Sequence, residues 1–177
     1  VSTIALFASV QFLNLDGVQK QLEELEIVVL NTKARRTYVK TQVLGCDAYD
    51  DSYERAITDE ADAILYIGDG LFHPKAILLS QRNKDQVKNV ITWNPMTEQM
   101  IILTEADIKK QVKKQKANIK RFIASRTVGI LMTTKPGQEH FKPELLLKEQ
   151  IEARGKKVYL FVANNIPVFQ LEDFTGI

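Results

Sequence analysis

Four groups of residues in this chain carry side chains capable of chemistry. The first is the segment Gln42-Val43-Leu44-Gly45-Cys46, which holds the only cysteine of the 177 residues. It leads into an acidic, turn-forming patch at Asp47, Asp50 and Asp51. A single thiol forms no internal disulfide and does not by itself complete a tetrahedral thiolate site. Cys46 is therefore either a buried, inert small hydrophobe or one ligand of a site whose other ligands lie outside this chain. The second group is Gly68-Asp69-Gly70-Leu71-Phe72-His73-Pro74. Its glycines let backbone N–H groups approach a ligand, and the N-terminus of a following helix favours an anionic group. The third glycine of a dinucleotide fingerprint is missing and Pro74 interrupts the spacing, so neither that motif nor a GxxxxGK[ST] phosphate loop is present. A plain strand-to-helix turn with His73 near its N-cap explains the same residues. The third group, Thr133-Thr134-Lys135-Pro136-Gly137-Gln138, offers hydroxyls, a cation and an amide suited to a carboxylate; read blandly, it is a polar loop. Gln11, just past the first apolar run, is the fourth. His140 sits in a polar stretch and reads as solvent-facing. No Ser/His/Asp order, HExxH or close acidic pair is present, which argues against a self-contained hydrolase.

The elements that must position these groups alternate between short apolar runs and helical patterns. Strands are expected at 4–9, 27–30, 63–68 and 90–93, with a short extended piece at 100–103. Helices are expected at 14–25, with Leu15, Val18, Leu22 and Leu25 on one face, at 50–58, and at 73–80 with Pro74 in the first turn, where a missing N–H costs little. Thr104 with Asp107 three positions on forms a capping pair for a lysine-rich helix reaching about residue 125. Ile108, Val112, Ala117, Ile119 and Ile123 give that helix a partial apolar face; Lys109, Lys110, Lys113, Lys114, Lys116 and Lys120 cover the rest as a solvated surface. A second strand–helix–strand unit follows, with strands at 127–133 and 157–162 and a helix from 141 to 154 that stops before Gly155. Thr3–Ser9 and Thr127–Thr133 are similar in pattern, and each is followed by a glutamine, Gln11 or Gln138. The expected fold is α/β: tandem parallel-sheet domains, one complete four-stranded domain at 1–104, a connecting helix at 105–125, and the first half of a second domain at 126–177. In such sheets ligand sites lie at the carboxyl ends of strands, which is where all four groups fall.

Composition narrows the class. Apolar residues make up 45% of the chain and charged residues 26%, so a real core is available in an ordinary polar surface. A net charge of +2, and a lysine run without interleaved aromatics, argue against a nucleic-acid binder. No apolar run reaches the roughly 18 residues that span a bilayer, and the start shows no signal peptide. One cysteine favours the cytoplasm. The absence of an initiator methionine suggests a trimmed or fragmentary chain.

Taken in order, three segments resemble the diphthamide synthase family, 2-(3-amino-3-carboxypropyl)histidine synthase: Gln42 to Cys46, Leu65-Tyr66-Ile67 running into Gly68 to Pro74, and Val128 to Gln138. Gly155-Lys156-Lys157-Val158-Tyr159-Leu160 adds agreement, and the resemblance spans nearly the whole chain. It implies three related α/β domains around a pseudo-threefold axis, each giving one cysteine to a [4Fe–4S] cluster that binds and reductively cleaves S-adenosylmethionine. It further implies transfer of a 3-amino-3-carboxypropyl radical to a histidine of translation elongation factor 2. On this resemblance the chain covers the middle domain and part of the third of an archaeal-type homodimer, and Cys46 is the middle domain's cluster ligand. The other two cysteines would precede Val1 and follow Ile177, so the chain alone is expected to be inactive. Gly68, Asp69, Gly70, His73, Thr134 and Gln138 are the expected lining of the S-adenosylmethionine pocket. Two rival readings are a non-catalytic partner subunit of such an enzyme and a cofactor-binding α/β domain with an inert cysteine.

Overall fold

The computed structural model describes residues 2–45, 47–135 and 141–165. The chain divides into two compact units, Val1–Lys114 and Gln115–Ile177.

In the first unit the strands are β1 (Thr3–Ala8), β2 (Val28–Leu30), β3 (Ala63–Ile67), β4 (Val90–Asn94) and β5 (Gln99–Leu103). They form one sheet in the order β2-β1-β3-β4-β5. The first four are parallel neighbours, with Ile4 beside Val29 and Ala63. β5 runs antiparallel to β4, pairing Trp93 with Met100. The segment at 100–103, read from sequence as a short extended piece, thus closes the sheet as a fifth strand. A tight turn carrying Glu98 at φ 53° makes that hairpin possible.

β1 reads Thr-Ile-Ala-Leu-Phe-Ala, and its last four residues are fully buried. A strand apolar on both sides belongs in the middle of a covered parallel sheet. Its alternate residues serve two cores. Ala5 and Phe7 join Ile64, Tyr66, Ile77, Leu78 and Ile108 on one face. Leu6 and Ala8 join Leu15 and Ile67, with Val18 and Phe12 packed against them, on the other. Helices α1 (Asp16–Glu24) and α2 (Phe72–Ser80) therefore lie on opposite faces of a doubly wound sheet. Full burial of side chains such as Phe7, Ile77 and Leu78 contributes about 1.5–3 kcal/mol each.

Helix α3 (Glu105–Ala124) starts at the capping pair read from sequence: Thr104 N–H and Oγ1 donate to the Asp107 carboxylate at 2.7 and 3.0 Å. Those two bonds hold the Asp107 carboxyl below its ordinary value. The six lysines of α3 are exposed, as expected. Its apolar face is only partly used: Ile108 is buried, but Ile119 and Ile123 are 58% and 67% exposed. Two other expectations are corrected. Leu25 lies beyond the end of α1 and is exposed, because the chain leaves the helix through Glu26 at φ 58°. The segment 50–58 is a single 3-10 turn, Asp50–Ser52, and not a helix. There the Asp50 side chain accepts from Thr58 and pairs with Lys84, so local polar bonds compete with helix formation.

The second unit contains β6 (Thr127–Thr133), α4 (Phe141–Glu152) and β7 (Lys157–Ala163). β6 and β7 are parallel neighbours from Thr127/Lys157 to Thr133/Ala163. Ile130, Met132, Ile151 and Val158 form its core. Strand, helix and parallel strand thus recur in both units, β1-α1-β2 and β6-α4-β7.

Candidate functional site

The strand order places a topological switch point between β1 and β3. The chain leaves β1 for β2 on one side and returns to β3 on the other, so the loops after β1 and β3 diverge and open a crevice at their carboxyl ends. Gly68 and Ser9 stand at that crevice. Ser9 N–H donates to Ile67 C=O at 3.0 Å, and Gly68 N–H donates to Trp93 C=O at 3.0 Å. Gly68 is buried, and a Cβ there would lie 2.5 Å from Tyr66 Oη and 2.9 Å from Ser9 Oγ. Only glycine fits. Asp69 and Gly70 are exposed, with Gly70 at φ 64°.

The chain then enters α2. Leu71 occupies the N-cap and supplies no side-chain hydrogen bond, so the first-turn N–H groups of Phe72 and His73 remain open to an anionic group. The half-buried His73 imidazole is fixed by two rings. Tyr66 stacks on it at 6.1 Å with planes 14° apart, and Phe72 meets it edge-on at 5.5 Å. Burial pushes the Tyr66 phenol up; the neighbouring Ser9 hydroxyl acts in the opposite direction and the Asp69 charge adds to the rise. The Tyr66 and Ser9 hydroxyls are buried side by side without a hydrogen bond of good geometry to any group.

The segment before the cysteine reaches the same place. Ala8 N–H donates to Thr41 C=O at 2.8 Å and Val43 N–H to Ala8 C=O at 3.1 Å, so Gln42 pairs in parallel with Ala8. Ala8 also pairs with Ile67 of β3, which puts Gln42 on the β2 side, beyond the last paired residue of β2. Asp47 N–H then donates to Leu44 C=O at 2.9 Å, closing a tight turn. Gly45 seats against α2: a Cβ on it would stand 2.6 Å from Phe72 Cδ1 and 3.0 Å from His73 Cδ2. An apolar cleft of about 290 Å³ opens beside this contact, between Gly45, Ala48 and Tyr49 on one side and Phe72, Ala76 and Leu79 on the other. The Arg82 guanidinium lies 5.5 Å from the Tyr49 ring centre.

Charges anchor the far side of the loop. Asp47 accepts from Ser52 and lies 3.5 Å from Arg36. Lys84 Nζ lies 2.7 Å from the carboxylates of both Asp50 and Asp59 and donates to Thr58 Oγ1 at 2.8 Å. Burial alone would lower the Lys84 pKa, but its bonds to Asp50 and Asp59 outweigh that and hold it above its ordinary value. Burial, with Asp47 and Asp50 nearby, pushes the Tyr53 phenol well above the ordinary range.

Of the residues singled out from sequence, Gly68, Asp69, Gly70 and His73 lie along the path from β3 into α2, and Gly45 is seated against its His73 end. Cys46 and Gln138 lie outside the described residues. Thr134 stands at the end of β6 in the second unit, where its N–H donates to Ala163 C=O at 3.3 Å. Gln11 lies in a 3-10 turn, Val10–Phe12, directly after Ser9. Sequence reasoning did not find Ser9, Thr41 or Tyr66. Tyr66 looks like any core residue of an apolar strand, and only its contact with Gly68 and His73 distinguishes it.

Fold and crevice define a doubly wound α/β domain with a candidate ligand site at its switch point. The chain belongs to the family described as putative diphthamide synthesis protein, whose model matches residues 1–177. It is similar to 2-(3-amino-3-carboxypropyl)histidine synthase of Pyrococcus horikoshii, with 26% identity over 133 residues, 75% of this chain and 35% of that protein. The enzyme of the same name from Methanocaldococcus jannaschii is 31% identical over 98 residues, 54% of this chain and 25% of that one. Subunit 1 of the synthase from Yarrowia lipolytica is 23% identical over 138 residues, 78% of this chain and 29% of that one. Among solved structures, Dph2 from Pyrococcus horikoshii with a 4Fe-4S cluster superposes with a TM-score of 0.74 at 21% identity, over 99% of this chain and 49% of that one. The chain thus spans about a third or less of the length of these curated relatives.

Proposed function

We propose that this chain forms part of an enzyme that transfers the 3-amino-3-carboxypropyl group of S-adenosylmethionine to a histidine of translation elongation factor 2, the first step of diphthamide synthesis. In this reading Cys46 supplies one thiolate to a [4Fe–4S] cluster. The chain contains one cysteine, so the remaining thiolates come from sequence outside it. A thiolate is a soft ligand suited to iron–sulfur centres. The donor set fits: the residue before Cys46 is seated at the crevice, beside open helix-terminal N–H groups suited to a carboxylate. The bound cluster would supply the electron that breaks the sulfonium carbon–sulfur bond. The work of this chain's own residues is orientation. Gly68 and Gly70 keep the backbone close to the ligand, the N–H groups of Phe72 and His73 hold the carboxylate, and Asp69 and His73 flank it. Thr134 and Gln138 are further proposed ligands of S-adenosylmethionine, from the segment 126–177. The enzyme acts as a homodimer in the cytoplasm, with elongation factor 2 as its protein substrate and neither nucleic acid nor membrane as a partner. Among the described residues no helix is long and apolar enough to cross a membrane.

The observation that carries this reading is the seating of Gly45 against Phe72 and His73, at the start of the helix that follows the Gly68 loop, in a chain belonging to this family. The test is anaerobic reconstitution of the full-length protein with iron and sulfide. A charge-transfer shoulder near ~400 nm is expected in the wild type and lost in Cys46→Ser. Titration calorimetry should show weaker S-adenosylmethionine binding in His73→Ala and Gln138→Ala. A Cys46→Ser protein with a full cluster complement overturns the ligand assignment, and unchanged affinity in both pocket variants overturns the pocket.

A further inference from the structure

Among the described residues three that are not glycine have a positive φ: Glu26, Thr41 and Glu98. Glu26 and Glu98 are exposed and sit in the tight turns before β2 and β5, where a left-handed residue is ordinary. Thr41 is different. It is β-branched, 4% exposed and held at φ 69°. A β-branched residue in that region is an outlier that persists only where the surroundings over-determine it. Two main-chain bonds do so here. Thr41 N–H donates to Thr32 C=O at 2.8 Å, and Thr41 C=O accepts from Ala8 N–H at 2.8 Å. Immediately afterwards the chain turns to run beside Ala8, and four residues after Thr41 it seats Gly45 against Phe72 and His73.

We propose that Thr41 is a positioning residue: its left-handed backbone aims the 42–45 segment across the end of β1 and into the switch-point crevice. This rests on the reading that the crevice is the functional site. A residue with φ near −65° would send the chain past β1 in another direction, and Gly45 would lose its seat. The strain is retained at a buried site because it sets the direction of the segment that precedes the thiol.

Two variants separate this role from ordinary packing. Asparagine tolerates the left-handed region, so Thr41→Asn keeps the turn and relieves strain. The full-length protein should gain about 2–4 °C in Tm, with unchanged exchange of the 42–45 amides. Glycine frees the backbone, so Thr41→Gly should speed amide exchange at residues 42–45 alone. It should also speed alkylation of Cys46 by N-ethylmaleimide in the cluster-free protein, about tenfold for each 1.4 kcal/mol of loop stability lost. Wild-type exchange and alkylation rates in Thr41→Gly overturn the assignment. So does a Thr41→Asn protein with a lowered Tm, a measurement that stands even where the glycine variant fails to fold. Both readouts are made without the cluster. A wild type that binds no cluster but shows these differences refutes the ligand reading and leaves the kink in place; a bound cluster without them refutes the kink alone.

Discussion

Replacing Gly68 with alanine is the sharpest single perturbation of the crevice. The added Cβ would lie 2.5 Å from Tyr66 Oη, 2.7 Å from Tyr66 Cζ and 2.9 Å from Ser9 Oγ, where carbon contacts normally begin near 3.5 Å. Tyr66 is fully buried in β3, between Leu65 and Ile67, so its ring has no space to swing into. The remaining response is backbone displacement at the end of β3, which strains the Gly68 bond to Trp93 and the stacking on His73. Overpacking of this kind costs about 1–3 kcal/mol, and loss of an aromatic pair about 0.5–1.5 kcal/mol more. A total of about 3 kcal/mol corresponds to a fall in Tm of roughly 6–12 °C. Gly45 supplies the contrast. Its added Cβ is just as crowded, but the neighbour is Phe72, 69% exposed and free to rotate outward, so Gly45→Ala should cost only about 1 kcal/mol. Gly17, in the first turn of α1 with nothing within 4 Å, should tolerate alanine with a gain of a few tenths of a kcal/mol. Differential scanning calorimetry on the three variants gives the order directly. If Gly68→Ala is no more destabilising than Gly45→Ala, the idea that the buried Tyr66 ring dictates glycine at position 68 is wrong.

Two further outcomes follow from the charges around the loop. Lys84→Met removes the cation shared by Asp50 and Asp59 and should cost about 1–2 kcal/mol in denaturant titrations, allowing for solvent screening of two partly exposed carboxylates. Because the folded state holds the Lys84 pKa above its ordinary 10.5, that contribution is complete below pH 10.5 and disappears as pH rises beyond it; equal wild-type and variant stability at neutral pH would count against the clamp. Tyr53 is a buried phenol without a hydrogen-bond partner, with its pKa raised from 10.0. Folding therefore favours its neutral form, and the stability this gives fades above pH 10. Tyr53→Phe should be neutral or stabilising by up to about 1 kcal/mol at pH 7 and should unfold at higher pH than the wild type; an earlier alkaline transition would contradict this.

The α/β class, the order of elements and the strand-end location of the Gly68–Pro74 loop were legible in the sequence. Each rests on local rules: apolar runs, a capping pair at Thr104 and Asp107, and a proline in the first turn of α2. Where local polar chemistry competes, those rules failed. Asp50 and Thr58 look helical by pattern but are tied into separate turns by bonds to each other and to Lys84, which lies far along the chain. What tertiary structure alone decided is which of these loops meet. Strand order is a matter of long-range pairing, and no periodicity announces that β3 inserts beside β1 to open a crevice there. The contact of Gly45 with Phe72 and His73, the crowding of Gly68 by Ser9 and the left-handed turn held by Thr32 and Ala8 at Thr41 all depend on atoms distant in sequence. A chain records its local preferences residue by residue; the meeting of Gly45 with Phe72 and His73 exists only once the sheet is assembled.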